Sequence, residues 1–347
     1  MYFERFDPAA DREHLRACYE MFSAGLPIDD PGGPPASLGI FTGWWVLGWV
    51  RTPREAWLAS AEPGAPWTGC YLLELPDREN KHLGMLTVIV APQHRRQGTG
   101  TALLWHAARR AALAGRTTLE GDTREGLPGA AFAAASGARE GITEVIRNQE
   151  LADLPPGRLA ELRDQATRAA QGYSLLSWTG PCPQEYVDQL ARVINAFHDA
   201  PHNPGYEPEI YDARRVRQDE ERFDMQGLRD YTVVARHDAS GELAGFTGVG
   251  VSPEHPDWGF QELTAVTREH RGHKLGLLLK VGMLDLLAQA EPGLKRIHTG
   301  NANSNEHMIA INAALGYRVV SRWPSWRIDV AQVLDGAAPE VTASAEA

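Results

Sequence analysis

An internal repeat constrains the fold most strongly, because the second half of the 347-residue chain repeats the first at a nearly fixed offset. Residue pairs separated by 176 positions are Gly69 and Gly245, Val90 and Val266, Arg95 and Arg271, and Gly100 and Gly276. Farther along, the offset becomes 179 and carries Gly137 onto Gly316. The repeat therefore predicts two copies of one domain.

Proline and glycine residues that interrupt regular structure predict the domain bounds. We expect an N-terminal domain over 1–155, a linker helix over 156–171, and a C-terminal domain over 172–332. A Pro-Pro-Gly break precedes the linker, and a glycine cap ends it. Residues 333–347 have almost nothing to bury and are predicted to be a disordered tail.

Both copies share one order of predicted elements. A strand and one or two helices are followed by two or three strands, a loop, a helix, a strand, a helix and a final strand. In the second copy, "YTVVARH", "LAGFTGVGVS" and "FQELTAV" indicate strands, and "LGLLLKVGMLDLLAQA" indicates a helix that stops before Pro292. The fold class is therefore mixed α/β.

Composition excludes several function classes. A net charge of −11 argues against nucleic acid as a partner, and an acidic surface suits either a cationic substrate or simply solubility. The chain shows neither a membrane-spanning run nor a secretory signal at its start, so we expect a cytoplasmic protein. The three cysteines form no CxxC pair, and the histidines show no metal-ligand spacing, so we predict no metal.

The loop between a strand and a helix predicts an anion site in each copy. Small residues let successive N–H groups point into one concavity, and the helix start adds unpaired amides and a positive dipole end. An arginine is expected to add a charge-assisted bond. The candidate residues are Val90, Arg95, Arg96, Gln97, Gly98, Thr99, Gly100 and Thr101, and Val266, Arg271, Gly272, His273, Lys274, Leu275, Gly276 and Leu277. The alternative is a tight turn with solvated arginines.

These loops resemble a known motif. The pattern Arg95-x-x-Gly98-x-Gly100 after "VIVAP" is similar to the acetyl-CoA loop of the Gcn5-related N-acetyltransferases (GNATs). The family's later N-x-x-A-x-x-L-Y segment is similar to the stretch from Asn305 to Tyr317. The resemblance implies two tandem domains, each a splayed mixed sheet that holds acetyl-CoA or another acyl-CoA in its cleft. The tandem arrangement is similar to that of mycothiol synthase and of two-domain acyltransferases from antibiotic pathways.

Each copy departs from the family pattern. The later segment of the first copy lacks the family's asparagine and tyrosine, so this copy is expected to bind CoA without turnover or to serve as a structural partner. In the second copy, Lys274 replaces the middle glycine of the loop, and Asn312 replaces the tyrosine. A backbone amide serves whatever its side chain, so Lys274 is expected to be harmless if its φ stays in an ordinary region.

The second copy offers a candidate base. In the family, a backbone amide of the strand before the loop faces the acyl carbonyl, which implies a place near Val90 or Val266. Glu262 lies four residues before Val266 and is predicted to share its face and that of Thr264; the alternative is a solvated or ion-paired glutamate. The corresponding residue of the first copy at the fixed offset is Leu86.

Other candidates lie farther along the second copy. Asn312 is expected to orient a water or the CoA sulfur, while the thiolate takes its proton from solvent or from Tyr317. Asn301 and Asn305 are expected to contact pantetheine or adenine, or only to begin a helix.

The acceptor side is less specific. Charged and aromatic candidates are Asp199, Glu207, Glu209, Asp212, Tyr206 and Tyr211, while "EIYDARRVRQDEERF" is predicted to be a solvated helix face and the tryptophans 44, 45 and 49 to be packing. We therefore expect direct acyl transfer from CoA to a primary amine of a small molecule, with oligomeric state open and a monomer possible. The alternative is a non-catalytic acyl-CoA-binding or scaffold protein.

Overall fold

A computed structural model describes residues 1–48, 51–196, 202–336 and 343–345. The chain forms two compact units. Unit one comprises Met1–Thr143, Asn203–Glu207 and Arg322–Ala347, and unit two comprises Glu144–His202 and Pro208–Ser321. This division differs from the predicted bounds at 155 and 172, because each unit includes residues from both halves of the repeat.

Strands and helices are interspersed along the described residues. The strands are β1 (Tyr2–Phe6), β2 (Arg54–Ser60), β3 (Trp67–Glu74), β4 (Leu83–Val90), β5 (Thr118–Asp122), β6 (Arg139–Glu150), β7 (Tyr173–Thr179), β8 (Arg229–His237), β9 (Leu243–Val251), β10 (Trp258–Val266), β11 (Arg296–Ala302), β12 (Arg318–Asp329) and β13 (Ala343–Ala345). The helices are α1 (Arg12–Asp29), α2 (Leu38–Leu47), α3 (Thr99–Leu113), α4 (Pro128–Ala135), α5 (Arg158–Ala169), α6 (Val187–Asn195), α7 (Ala213–Gln226), α8 (Leu275–Ala290), α9 (Glu306–Ala314) and α10 (Val330–Asp335).

Unit one has a mixed sheet with strands in the order β13-β1-β2-β3-β4-β5-β12. The β4–β5 and β1–β13 pairs are parallel, and β12 contributes Ser325–Asp329 antiparallel to β5. This last pairing explains why the C-terminal end of the second repeat belongs to unit one.

Helices cover both faces of this sheet. On one face, α3 buries the alanines and leucines of its inner side, including Leu103 and Ala107. On the other face, α1 and α2 bury Leu15 and Phe41, and Trp45 stacks on Phe41 with ring centroids 5.0 Å apart. The predicted packing role of Trp45 is confirmed, whereas Trp49 lies outside the described residues.

Unit two has strands in the order β6-β11-β10-β9-β8-β7. Residues 144–150 of β6 pair antiparallel with β11, so the end of the first repeat belongs to this unit. The parallel β10–β11 pair corresponds to β4–β5. The mixed α/β class and the splayed-sheet order predicted for each copy are confirmed.

The predicted linker helix is part of the core of unit two. It forms α5, which begins after Gly157 and buries Leu162 and Ala166 in the same cluster as the leucines of α8. A stretch that reads as a charged connection thus has an apolar stripe that packs against its own domain.

The C-terminal stretch is more ordered than predicted. Helix α10 extends the structure to Asp335, and Val333 and Leu334 pack on the unit-one core. Ala343–Ala345 pair in parallel with β1, while 337–342 and 346–347 lie outside the described residues. The prediction of a wholly disordered tail overlooked the apolar pair in α10.

Within the described ranges, no helix is both long enough and apolar enough to span a membrane.

Candidate active site

A slot opens between two parallel strands in each unit. The β4–β5 pairing extends from Leu83 with Thr118 to Met85 with Glu120, although β4 continues to Val90. The β10–β11 pairing likewise spans residues 258–260 of β10, which continues to Val266. Side chains along the diverging stretches are half-buried, and each slot ends beside the first turn of α3 or α8.

The loops before α3 and α8 share one backbone shape built from different residues. Two positions are left-handed in each loop: Arg96 (φ 62°) and Gly98 (φ 86°) in unit one, and Gly272 (φ 90°) and Lys274 (φ 53°) in unit two. The condition of an ordinary φ at Lys274 is therefore not met. A non-glycine residue costs about 1–2 kcal/mol in this region, and each loop carries one.

Both loops present backbone amides to open space. In the residues that the structure describes, no side chain caps the first turn of α3 or α8. A Cβ placed on Gly98 or Gly272 would meet no atom within 4 Å. The first-turn N–H groups and the helix dipole are therefore available to an anion, and the residues present fit the diphosphate of CoA.

Individual loop residues contribute in different ways. Thr99, Gly100 and Thr101 begin α3, and Leu275 and Gly276 begin α8, where their amides lie at the helix start. The amide of Leu277 already donates to the Lys274 carbonyl oxygen at 3.1 Å. The side chains of Arg96, Gln97, His273 and Lys274 are exposed around the rim.

The two predicted phosphate-binding arginines fold back on the protein. Arg95 donates to the Val90 carbonyl at 3.1 Å and to both carboxylate oxygens of Asp29 at 2.8 and 2.7 Å. Arg271 donates to the Val266 carbonyl at 3.2 Å. These contacts hold both arginine side chains at the strand end, and their role in phosphate binding stays a prediction.

A β-bulge beside the slot distinguishes unit two. Two residues of β10, Glu262 and Leu263, lie opposite the single residue Gly248 of β9. The corresponding strands β3 and β4 pair without interruption. The extra residue means that Leu86 corresponds in register to Gln261, not to Glu262.

The bulge also changes the face on which Glu262 lies. Thr264 hydrogen-bonds Thr247 across the strands at 2.8 Å, whereas a Cβ placed on Gly248 would lie 3.5 Å from the Glu262 Cβ. The side chains of the neighbouring residues Thr247 and Gly248 of β9 point to opposite faces of the sheet. Glu262 is therefore on one face of the sheet and Thr264 on the other. The predicted common face is therefore wrong, because strand alternation does not hold through a bulge.

Glu262 lies within the electrostatic reach of other carboxylates and of one arginine. Burial raises the pKa of the Glu262 carboxyl, Arg222 lowers it in part, and Asp219 raises it further. Burial, followed by the charge of Glu262, raises the pKa of Asp230 to about 7. The Tyr211 hydroxyl donates to Asp219 at 2.9 Å. A carboxylate with a raised pKa is better matched than an ordinary one to accept a proton from an ammonium group.

Sequence reasoning missed this cluster because α7 reads as a solvated face. The structure instead buries Arg215, Arg222 and Gln226, with Asp219 on the same side. Their spacing of four, three and four residues is that of one helix face and is the signal that identifies them.

The predicted asparagines have structural partners. Asn305 caps α9 by accepting from the Met308 amide at 3.2 Å. This contact agrees with the alternative that Asn305 only begins a helix. Asn312 is fully buried, and its Nδ2 donates to Asn301 Oδ1 at 2.7 Å. Tyr317 packs in the core with Lys280 Nζ 5.0 Å from its ring centre, and its role as a proton donor stays a prediction.

Several acceptor-side candidates are also structural. Glu207 accepts from the Asn80 amide at 2.7 Å within unit one, and Asp212 caps α7 by accepting from the Arg215 amide at 2.9 Å. Asp199 lies outside the described residues.

Comparison with known proteins decides the family. The model of the acetyltransferase (GNAT) family matches residues 15–132 and 190–317, once in each half. The chain belongs to the GNAT family. It is an acyl-CoA-dependent acyltransferase of the N-acetyltransferase type with two tandem GNAT domains.

Solved GNAT structures share this architecture. A tandem GNAT protein from the clavulanic acid biosynthesis pathway, in a structure without acetyl-CoA, is 30% identical with a TM-score of 0.80; the match covers 94% of this chain and 98% of that one. A GCN5-related N-acetyltransferase from Sphaerobacter thermophilus is 17% identical with a TM-score of 0.65 over 94% and 95% of the two chains, which shows the fold alone. A comparison with curated protein sequences gave no match.

Proposed function

We propose that unit two transfers an acyl group from CoA to a primary amine of a small molecule, and that unit one binds CoA without turnover. The observation that supports this assignment is the bulge in β10 at Glu262, whose charge acts on the carboxyl of Asp230. Unit one has an uninterrupted strand there, with the apolar residues Leu86 and Val88.

The residues of unit two supply proton transfer. An aliphatic amine is almost wholly protonated at neutral pH, so Glu262 accepts one proton before the nitrogen attacks the acyl carbon. As the C–N bond forms and the C–S bond breaks, the nitrogen loses a second proton to solvent, and solvent protonates the departing thiolate. Asn312 holds Asn301 in place.

Direct transfer fits the state of the cysteines. All three are buried, and burial raises the pKa of Cys182 to about 12 and that of Cys18 above its ordinary value. A thiol needs its thiolate form to act as a nucleophile, so an acyl-cysteine intermediate is disfavoured. The 30% identical neighbour from the clavulanic acid pathway supports a role in small-molecule metabolism, such as an antibiotic pathway.

The test is thiol release from acetyl-CoA with a panel of small amines. We expect Glu262→Gln to lower kcat by about 100-fold, the usual scale for a general base, with CoA affinity changed less than about twofold. The wild-type kcat/KM should rise as pH increases through the pKa of the base, because the ionised carboxylate accepts the proton. Glu242→Gln, the same change at an exposed turn, is the control. Unchanged rates at every pH in Glu262→Gln would exclude Glu262 as the base.

A second candidate is a non-catalytic acyl-CoA-binding or scaffold protein. It is favoured by the buried Asn312 in place of the family tyrosine. Tight CoA binding without thiol release for any amine would support it.

A further inference from the structure

A hydrogen-bonded polar pair, of which Lys280 is buried and Gln261 half-buried, joins α8 to the bulge of β10. Lys280 is only 3% exposed, and its Nζ donates to Gln261 Oε1 at 3.1 Å. Gln261 is the last residue of β10 in regular register before the bulge. A buried lysine is costly unless it is hydrogen-bonded, so the position of this pair calls for an explanation.

The Gln261 amide provides a cross-strand hydrogen bond at the bulge. Its Nε2 donates to the Gly248 carbonyl at 2.6 Å and to Thr247 Oγ1 at 2.9 Å. Gly248 is the residue that two residues of β10 face. Because a side-chain amide satisfies this carbonyl, the main chain of β10 does not have to donate to it, and the extra residue can leave the ladder.

Lys280 fixes the orientation of that amide. By donating to Oε1, it directs Nε2 toward Gly248 and satisfies the remaining acceptor. Burial lowers the pKa of Lys280 to about 7, but an amine donates in its charged and neutral forms alike. The contact therefore persists through the titration of the lysine.

Unit one provides an internal comparison. In register, Gln261 corresponds to Leu86, and the offset of 176 carries Leu104 onto Lys280. The copy with two leucines has an uninterrupted β3–β4 ladder, and the copy with the polar pair has the bulge.

We propose that Gln261 and Lys280 are positioning residues for the acyl group: they hold the bulge open, which leaves a backbone N–H of Glu262 or Leu263 free to donate to the acyl carbonyl oxygen. This inference depends on the proposed use of the unit-two slot for acyl-CoA. A donor at that place binds the thioester but has nothing to bind in free CoA. The pair therefore controls the preference for acetyl-CoA over CoA.

The experiment measures that preference by calorimetry of the full chain. Every variant carries Gly98→Asp, whose carboxylate repels diphosphate from the unit-one loop and leaves one site to titrate. Gln261→Leu copies unit one, and Gln261→Glu keeps an acceptor for Lys280 but cannot donate to Gly248. Ser252→Ala, which removes a buried hydroxyl after the end of β9 with no contact to Gln261, is the control.

We expect both Gln261 variants to lose about tenfold of the preference for acetyl-CoA, with CoA affinity within twofold and kcat reduced. Ser252→Ala should keep both the preference and kcat. Because one variant is apolar and the other acidic, the test still stands if one of them misfolds. Thermal unfolding shows whether each variant is folded. Equal losses of affinity for CoA and acetyl-CoA, or an unchanged preference in a folded variant, would overturn the inference.

Failure of the proposed function has a different signature. A wild-type protein that releases no thiol with any amine, yet whose acetyl-CoA preference falls in both Gln261 variants, refutes amine acylation and supports the positioning role. Normal turnover together with unchanged preference and kcat in Gln261→Leu refutes the positioning role alone.

Discussion

At the scale of single residues, unit two buries two carboxyl groups at the cost of their ionisation. Asp230 and Glu262 both have a raised pKa, chiefly because burial disfavours the ionised carboxylate. A raised folded-state pKa means that the native protein binds the proton more tightly than the unfolded chain does. Such a carboxylate lowers the free energy of unfolding as the pH rises from its unfolded pKa through its folded one.

The consequence for Asp230 can be measured. The free energy of unfolding of the wild type should fall between about pH 4 and pH 7 through this group, and Asp230→Asn should reduce that fall. We expect the variant to gain on the order of 4 kcal/mol relative to wild type at pH 8 and almost nothing at pH 4, since the pKa of Asp230 is raised from 3.8 to about 7 and one pKa unit corresponds to about 1.4 kcal/mol. Urea unfolding at both pH values gives the difference.

Asp238→Asn, at an exposed turn, serves as the comparison for that measurement. An equal gain at pH 4 and pH 8 in Asp230→Asn would contradict the ionisation argument, because an effect of packing does not depend on pH.

At the scale of elements, the loop before each helix has one backbone shape. Gly98 and Lys274 occupy the same left-handed N-terminal position, so substitutions at the two sites should have opposite effects. We expect Gly98→Ala to lower the free energy of unfolding by about 1 kcal/mol, and Lys274→Gly to leave it unchanged or raise it by up to about 1 kcal/mol. Chemical denaturation tests both; a loss of stability in Lys274→Gly would show that its side chain compensates the strain.

Local patterns predicted most elements but not the bulge. The helix predicted from the "LGLLLKVGMLDLLAQA" stretch is α8 itself, because periodicity and the following Pro292 mark both ends. The bulge is one inserted residue that breaks the alternation on which the face of Glu262 was inferred. Its trace in the sequence is an offset of 175 between Gly84 and Gly259, against 176 at Val90 and Val266.

At the scale of the whole molecule, the repeat predicted the family but not the limits of its units. Domain bounds at 155 and 172 follow from chain order, whereas the compact units follow from strand pairing between residues far apart in sequence. Ser325–Asp329 pair with β5, and the Asn203 side chain donates to Glu120 Oε1 at 2.8 Å within unit one. No local pattern reports such long-range pairs.

A fragment of residues 1–155 should therefore not fold alone. It lacks the strand that pairs with β5 and leaves that edge, including the buried Leu119, exposed. We expect an aggregating or unfolded fragment by circular dichroism and gel filtration, and recovery on co-expression with 156–347, which supplies the missing segments. A cooperative thermal transition in the isolated fragment would contradict this expectation.

The exchange of glycine between the two loops bears on how degenerate sites are recognised. One loop has its glycine at the second left-handed position and the other at the first, yet the chain follows the same path in both. The two copies share a pair of left-handed backbone torsions, while the glycine that adopts such torsions without strain lies at a different position in each copy. In a duplicated enzyme, a loop whose sequence departs from the family motif can therefore still have the backbone shape that binds an anion.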